Sequence, residues 1–210
     1  MERWVLLRKG ADFEAIGKKY QISPRLACLI RNRDVIGEEA IERYLNGTIS
    51  DLYDGMLMKD ADKAIDILKE KIAEEKKIRV IGDYDIDGVN ATYILLEGLE
   101  RLGAYVDSDI PDRIGDGYGL NRHLIDRAYD AGIDTIITCD NGIAAANEIA
   151  YGKELGMTII VTDHHEIPFD EIDGEKIYRL PPADAVIDPK QKDCVYPFKG
   201  LCGAAVAYKL

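Results

Sequence analysis

From residue 77 onward the sequence alternates short, apolar, β-rich segments with helix-patterned ones, and nothing else constrains the fold as strongly. Strands are expected at 78–82, 104–110, 135–139 and 158–162, with a weaker one at 185–187. Helices are expected at 89–102, 121–131, 144–155 and from 201 onward. Strand–helix alternation yields a parallel sheet, because each strand must be followed by a crossover before the next can run the same way. Segments such as Ile136-Ile137-Thr138-Cys139 and Ile159-Ile160-Val161 are apolar without alternation, which fits strands covered on both faces. The predicted class is therefore α/β, a parallel sheet with helices on both faces, preceded by a helical N-terminal region.

That region holds helix patterns at 12–20, 24–33, 38–45 and 58–75. Ser23-Pro24 is a start signal, with Ser as cap and Pro in the first turn. Ala61, Ala64, Ile65, Leu68 and Ile72 mark one apolar face of the clearest helix. The expected division is a helical region over 1–76, packed on the core, and an α/β domain over 77–210. Residues 174–193 read as a long loop around one strand. The chain stops inside a helical pattern, so it reads as a piece of a longer protein.

Composition narrows the class. Hydrophobic residues make up 47% and charged residues 31%, as in an ordinary globular chain. The longest apolar runs fall far short of the ~20 residues of a membrane span. Met1-Glu2-Arg3-Trp4 lacks the start of a signal peptide. Cys28, Cys139, Cys194 and Cys202 form no CxxC pair, so no zinc knuckle or redox motif is indicated, and a reduced, cytoplasmic protein is expected. The net charge of −12 has the wrong sign for a free-standing nucleic-acid binder. Two explanations remain: bound cations neutralise some acids, or a basic surface lies elsewhere.

The acids are not scattered. One predicted strand runs into Asp83, Asp85 and Asp87, a second into Asp140-Asn141-Gly142 and a third into Asp163-His164-His165. In an open parallel sheet the carboxyl ends of the strands share one edge, where ligands bind. Carboxylates crowded there cannot all stay ionised cheaply, and a divalent cation removes the conflict. Carboxylates with imidazole suit Mn²⁺ or Mg²⁺, with histidine favouring Mn²⁺. Two such ions would clamp a phosphoryl group and activate water. A lone Asp after a strand is commonly a helix cap, a reading open for Asp163 and Asp140. Asp83-Tyr84-Asp85-Ile86-Asp87-Gly88 also opens like an EF-hand, but the twelfth position is Ile94 rather than Glu, and a strand precedes it. Gly88 and Gly142 fit either simple turns or close approach of a phosphate. Arg113 and Gly117-Tyr118-Gly119 form a loop read as a turn, with Arg113 a candidate phosphate contact. His123 reads as a surface residue. No phosphate-binding P-loop occurs.

Taken together, Asp163-His164-His165 after a strand and Gly82 to Gly88 resemble the DHH phosphoesterase superfamily, and within it the RecJ-type exonucleases. The similarity extends through Ile110-Pro111-Asp112-Arg113, Gly117-Tyr118-Gly119-Leu120, Thr138 to Ile143, Val161 to Glu166, Asp188-Pro189-Lys190-Gln191, Tyr196-Pro197-Phe198 and 200–210, and so covers nearly the whole chain. It implies a metal-dependent 5′→3′ exonuclease for single-stranded DNA in recombination and repair, with Mn²⁺ or Mg²⁺, two ions in the full-length protein. It implies Asp83, Asp85, Asp87, Asp140 and His164 as metal ligands, Asp140 bridging two ions. His165, with Asp140, would be catalytic. Arg113, Asn141 and His165 are assigned to the substrate, and Asp163 to orienting its neighbours. The family carries a further metal-binding Asp, a second domain and an oligonucleotide-binding domain outside the region this chain covers. Asp188 stands where relatives often have Asn and is not assigned as that ligand. Phosphodiesterases or pyrophosphatases for small nucleotides are an alternative within the superfamily, but those usually carry a His in the first motif, and no His precedes His123 here. A Cdc45-like scaffold without catalysis is a further alternative, against which the full Asp and His set argues.

Overall fold

The structure is a computed structural model that describes residues 4, 9–115, 117, 119–172 and 174–210. Tyr118 of the glycine-rich loop lies outside the described residues, as does the start of the chain through Arg3. The chain forms two compact units, 1–52 and 53–210. The first contains α1 (Phe13–Tyr20), α2 (Pro24–Asn32) and α3 (Glu38–Asn46). Ser23 caps α2 as its sequence predicts, accepting the Leu26 N–H at 3.2 Å. Ala27, Ile30 and Ile41 are buried in this unit.

The second unit begins before the strands do. Helix α4 (Ala61–Ala73) belongs to it rather than to the helical region ahead, because Ala61, Ala64 and Leu68 bury their stripe in the sheet's own core. The strands β1 (Lys77–Ile81), β2 (Tyr105–Asp109), β3 (Thr135–Cys139), β4 (Thr158–Thr162) and β7 (Ala185–Ile187) form one all-parallel sheet in the order β2-β1-β3-β4-β7. The intervening strands β5 (Phe169–Ile172) and β6 (Glu175–Tyr178) stand apart as an antiparallel pair. This hairpin departs from the expected loop. Its residues are exposed or half-buried, so it lacks the apolar alternation that marks a strand in sequence.

The sheet is covered on both faces by alternate residues of the same strands. Ile78, Val80, Ile137 and Ile160 pack with α4, with Ala91, Leu95 and Leu99 of α5 (Ile86–Arg101), and with Val206 of α8 (Gly203–Lys209). Ile81, Ile136, Ile159 and Val161 pack on the other face with Leu124, Ile125 and Ala128 of α6 (Arg122–Asp130) and Ile149 of α7 (Ala146–Glu154). Among the described residues no helix is long and apolar enough to cross a membrane. Leu124 is fully buried, whereas Leu102 is 70% exposed. Leu124→Ala should therefore cost about 2–5 kcal/mol in urea unfolding, and Leu102→Ala less than about 0.5 kcal/mol. Equal costs would contradict this packing.

The strand order reverses between β1 and β3, with β2 on one side and β4 and β7 on the other. Such a switch point opens a crevice at the carboxyl ends of the two central strands. Asp83 to Asp87 follow one of those strands and Asp140 follows the other.

Candidate metal centre

Helix α5 starts at Ile86, three residues earlier than expected, so the first motif is half turn and half helix. Asp85 is its N-cap: one carboxylate oxygen accepts from Asp87 N at 2.8 Å and Gly88 N at 3.0 Å. These N–H groups, Gly88 first, hold the Asp85 carboxyl below the usual carboxylate range. Gly88 permits the tight turn, because a Cβ there would sit 2.5–2.7 Å from the backbone of Asp83. Asp83 is thereby pressed into the interior, and burial, with Asp85 adding to it, raises its carboxyl above the ordinary range.

Asp140 follows β3 directly, and its N–H extends the sheet ladder to Thr162 O at 3.1 Å. Its φ of 59° lies in the left-handed region, which costs less for Asp than for most residues. The carboxyl is 2% exposed. Burial, then the charges of Asp87 and Asp85, push it up to about 7.

Two close-set groups share this residue. One donor atom each from Asp83, Asp85 and Asp140 lies within 4.8 Å of the others, and the same holds for Asp140, His164 and His165. His164 Nε2 stands 2.9 Å from Asp140 Oδ1 and 3.6 Å from Asp87 Oδ2. Asp87 lies beside these groups, and both its oxygens accept backbone N–H groups of α8, from Gly203 at 2.7 Å and Ala204 at 2.8 Å. Sequence reasoning missed that contact, since nothing local to residue 87 announces a partner so far along the chain.

Asp163 sits at the end of β4, its N–H bonded to Ile187 O at 3.0 Å. It caps no helix. Its buried carboxylate accepts from Ile143 N at 2.9 Å, His164 N at 2.7 Å and His165 N at 3.2 Å, and pairs with His165 Nδ1 at 2.7 Å. Burial acts to raise this carboxyl, but the His165 bond and the backbone donors outweigh it and leave it depressed. The same bond raises His165 above its ordinary range. Asp163 thus holds the His165 ring and the backbone N–H groups of both histidines.

The substrate candidates separate. Asn141 is buried, and its amide donates to Ile81 O at 3.3 Å and Cys139 O at 3.1 Å, bracing β1 against β3. Arg113 is exposed and its guanidinium lies 5.0 Å from the centre of the Tyr84 ring, beside the first motif. Asp188, beyond β7, is fully buried; Lys190 N donates to one oxygen at 2.7 Å, and burial pushes the carboxyl up to about 7.

Comparison with known proteins places the chain in a family. The DHH family, N-terminal domain, matches residues 77–210. The chain is 40% identical over 209 residues to the single-stranded-DNA-specific exonuclease RecJ of Bacillus subtilis, covering 99% of this chain and 25% of that protein. It is 33% identical to the RecJ of Escherichia coli, covering 100% of this chain and 34% of that one. The chain therefore spans about a quarter to a third of the length of these relatives. Among solved structures, RecJ in complex with Mn²⁺ from Thermus thermophilus aligns with a TM-score of 0.68 at 27% identity, over 99% of this chain and 28% of that one. An exonuclease RecJ bound to manganese aligns with a TM-score of 0.60 at 34% identity, over 71% of this chain and 36% of that one. With the family model matching more than half of the chain and the two donor groups meeting at the carboxyl ends of the strands, the chain belongs to the DHH family.

Proposed function

We propose that this chain carries the catalytic domain, residues 77–210, of a metal-dependent exonuclease that hydrolyses phosphodiester bonds in single-stranded DNA, acting in the cytoplasm on the 5′ end. One observation carries the reading: two donor groups from three strand ends share a single buried carboxylate, Asp140. The donor set fits a divalent cation. Among the described residues, Asp83 Oδ1 is buried without a hydrogen-bond partner, a costly state unless a cation takes the place of the missing donor. The names of curated relatives support single-stranded DNA, and those of two solved structures support Mn²⁺.

Asp83, Asp85, Asp140 and His164 would hold the ions, with Asp87 at the edge of the set and Asp140 common to both. When bound, the ions supply charge neutralisation at the phosphate and a more acidic water. The remaining work falls to the chain. Asp163 fixes the His165 ring, and with Nδ1 committed to that carboxylate, any proton His165 delivers to a departing alkoxide leaves from Nε2. Arg113 would meet a substrate phosphate from the adjoining loop. Asn141 would act through the turn it braces. The −12 charge is consistent with a strand held by other parts of a longer protein.

Calorimetric titration with Mn²⁺ tests the centre. Heat is expected with the wild type and not with Asp85→Ala/Asp140→Ala. No heat from the wild type, or the same heat from the double variant, would remove the metal-centre reading. For the whole protein, single-stranded DNA should be degraded far faster than duplex, and His165→Ala should slow that by about 10²–10⁴-fold.

A further inference from the structure

Helix α8 has no cap of its own, since Cys202 at its N-cap position makes no side-chain bond to it. Its first two N–H groups are instead satisfied by a carboxylate that follows a different strand, through the Gly203 and Ala204 bonds to Asp87. The helix end favours a carboxylate both by these donors and by its partial positive charge. The arrangement is two-pronged, one N–H to each oxygen, so it fixes the plane of the Asp87 carboxylate as well as its place.

Gly203 also lies against Asp140. A Cβ at position 203 would come 2.6 Å from Asp140 Cβ, 2.6 Å from Oδ1 and 2.7 Å from Cγ. No real contact is that short, so either Asp140 or the start of α8 must move. Asp140 is poorly able to yield: it is buried, its φ is 59°, and its N–H is locked to Thr162 O. If α8 retreats instead, it carries both donors away from Asp87.

We infer that Gly203 is a positioning residue of the metal centre, the position at which the start of α8 holds Asp87 in place without displacing Asp140. The inference rests on the metal-centre reading above. It makes a helix remote in sequence part of the site, and it explains why a Cβ at 203 would have to displace either Asp140 or the start of α8.

The test is Mn²⁺ affinity of the 210-residue chain, by calorimetry and by the Mn²⁺ paramagnetic resonance spectrum. Gly203→Ala should keep a native far-ultraviolet dichroism spectrum and lose on the order of tenfold or more in affinity, with an altered resonance spectrum. Gly98→Ala is the control: it lies in the exposed interior of α5 with no atom within 4 Å of the added Cβ, and should bind like the wild type. Should Gly203→Ala not fold, Ala204→Pro serves instead. It deletes one donor to Asp87 in the first helical turn, where proline is tolerated. It should weaken Mn²⁺ binding severalfold alone and have no further effect in an Asp87→Ala background, whereas a general disturbance of α8 would weaken both. Wild-type affinity in Gly203→Ala, or an Ala204→Pro effect that persists without Asp87, overturns the positioning role while the metal centre stands. A wild type that binds no Mn²⁺ overturns the metal-centre reading, and the positioning role with it.

Discussion

Asp140→Asn is expected to abolish the stabilisation that Mn²⁺ gives and, in the same variant, to make the metal-free protein more stable at pH 8. Both effects come from one buried carboxyl. Its ordinary range lies near 3.8, and burial, Asp87 and Asp85 push it up to about 7. The folded state thus binds a proton there that the unfolded state has already released between those values. Where the folded state binds more protons, stability falls as pH rises. The contribution is therefore most favourable below about pH 4, declines from there to about pH 7, and stays low above it. Its full span is of order a few kcal/mol, reduced by whatever water reaches the site. Asn carries no charge, so the decline should flatten. Asp188, also pushed up to about 7 by burial, adds a parallel decline that Asp188→Asn should remove while leaving Mn²⁺ binding in place. Urea unfolding at pH 5.5 and pH 8, with and without Mn²⁺, reads all of this. With the ion at 100 times its dissociation constant the wild type should gain about 2.7 kcal/mol and Asp140→Asn almost nothing. An unchanged pH slope in Asp140→Asn would show that its carboxyl is not the strained group described.

The sheet was legible because its central strands are apolar on both faces, and Ile136 and Ile137 could be read as buried before their opposite faces were known. The gathering of acids was legible for the same reason, since strand ends in a parallel sheet share an edge. What a strand pattern does not carry is the surrounding architecture. The β5–β6 hairpin pairs exposed, charged residues, so no periodicity marked it. Helix α5 was expected to begin at 89 because apolar periodicity begins there, but Asp85 starts it earlier by capping two N–H groups. The motif's second aspartate is thus both candidate ligand and helix cap, two readings that sequence sets against each other. The contacts that converge from far along the chain, Gly203 on Asp140 and α8 on Asp87, have no local signal at all. Only the assembled fold brings them to the site.

Asp163→Asn should be costly in a different way, because this carboxylate is satisfied rather than strained. It is 1% exposed and holds two backbone N–H groups of the histidine pair, the Ile143 N–H and the His165 ring. The carboxylate is buried but the His165 ring is 43% exposed, so solvent screens the pair, and removing the charge that the buried backbone donors face costs about 1–3 kcal/mol. The pH dependence separates the partners. The depressed Asp163 carboxyl contributes stability above the ordinary carboxylate range, and this is lost as pH falls through its folded value. The raised His165 contributes below about 6.5, and this is lost as pH rises through its folded value. Their mutual stabilisation is thus fully present only between those limits. In metal-free Asp163→Asn, nuclear magnetic resonance titration should find His165 returned toward its ordinary range, and the acid limb of the stability profile should flatten. His165→Ala should flatten the alkaline limb and, because the His165 bond is one cause of the depressed Asp163 carboxyl, part of the acid limb as well; it should still bind Mn²⁺, because the carboxylate keeps the three backbone donors that shape the turn. If His165 titrates identically with Asn at 163, the carboxylate does not set its charge, and the ring's part in proton delivery must rest on some other neighbour.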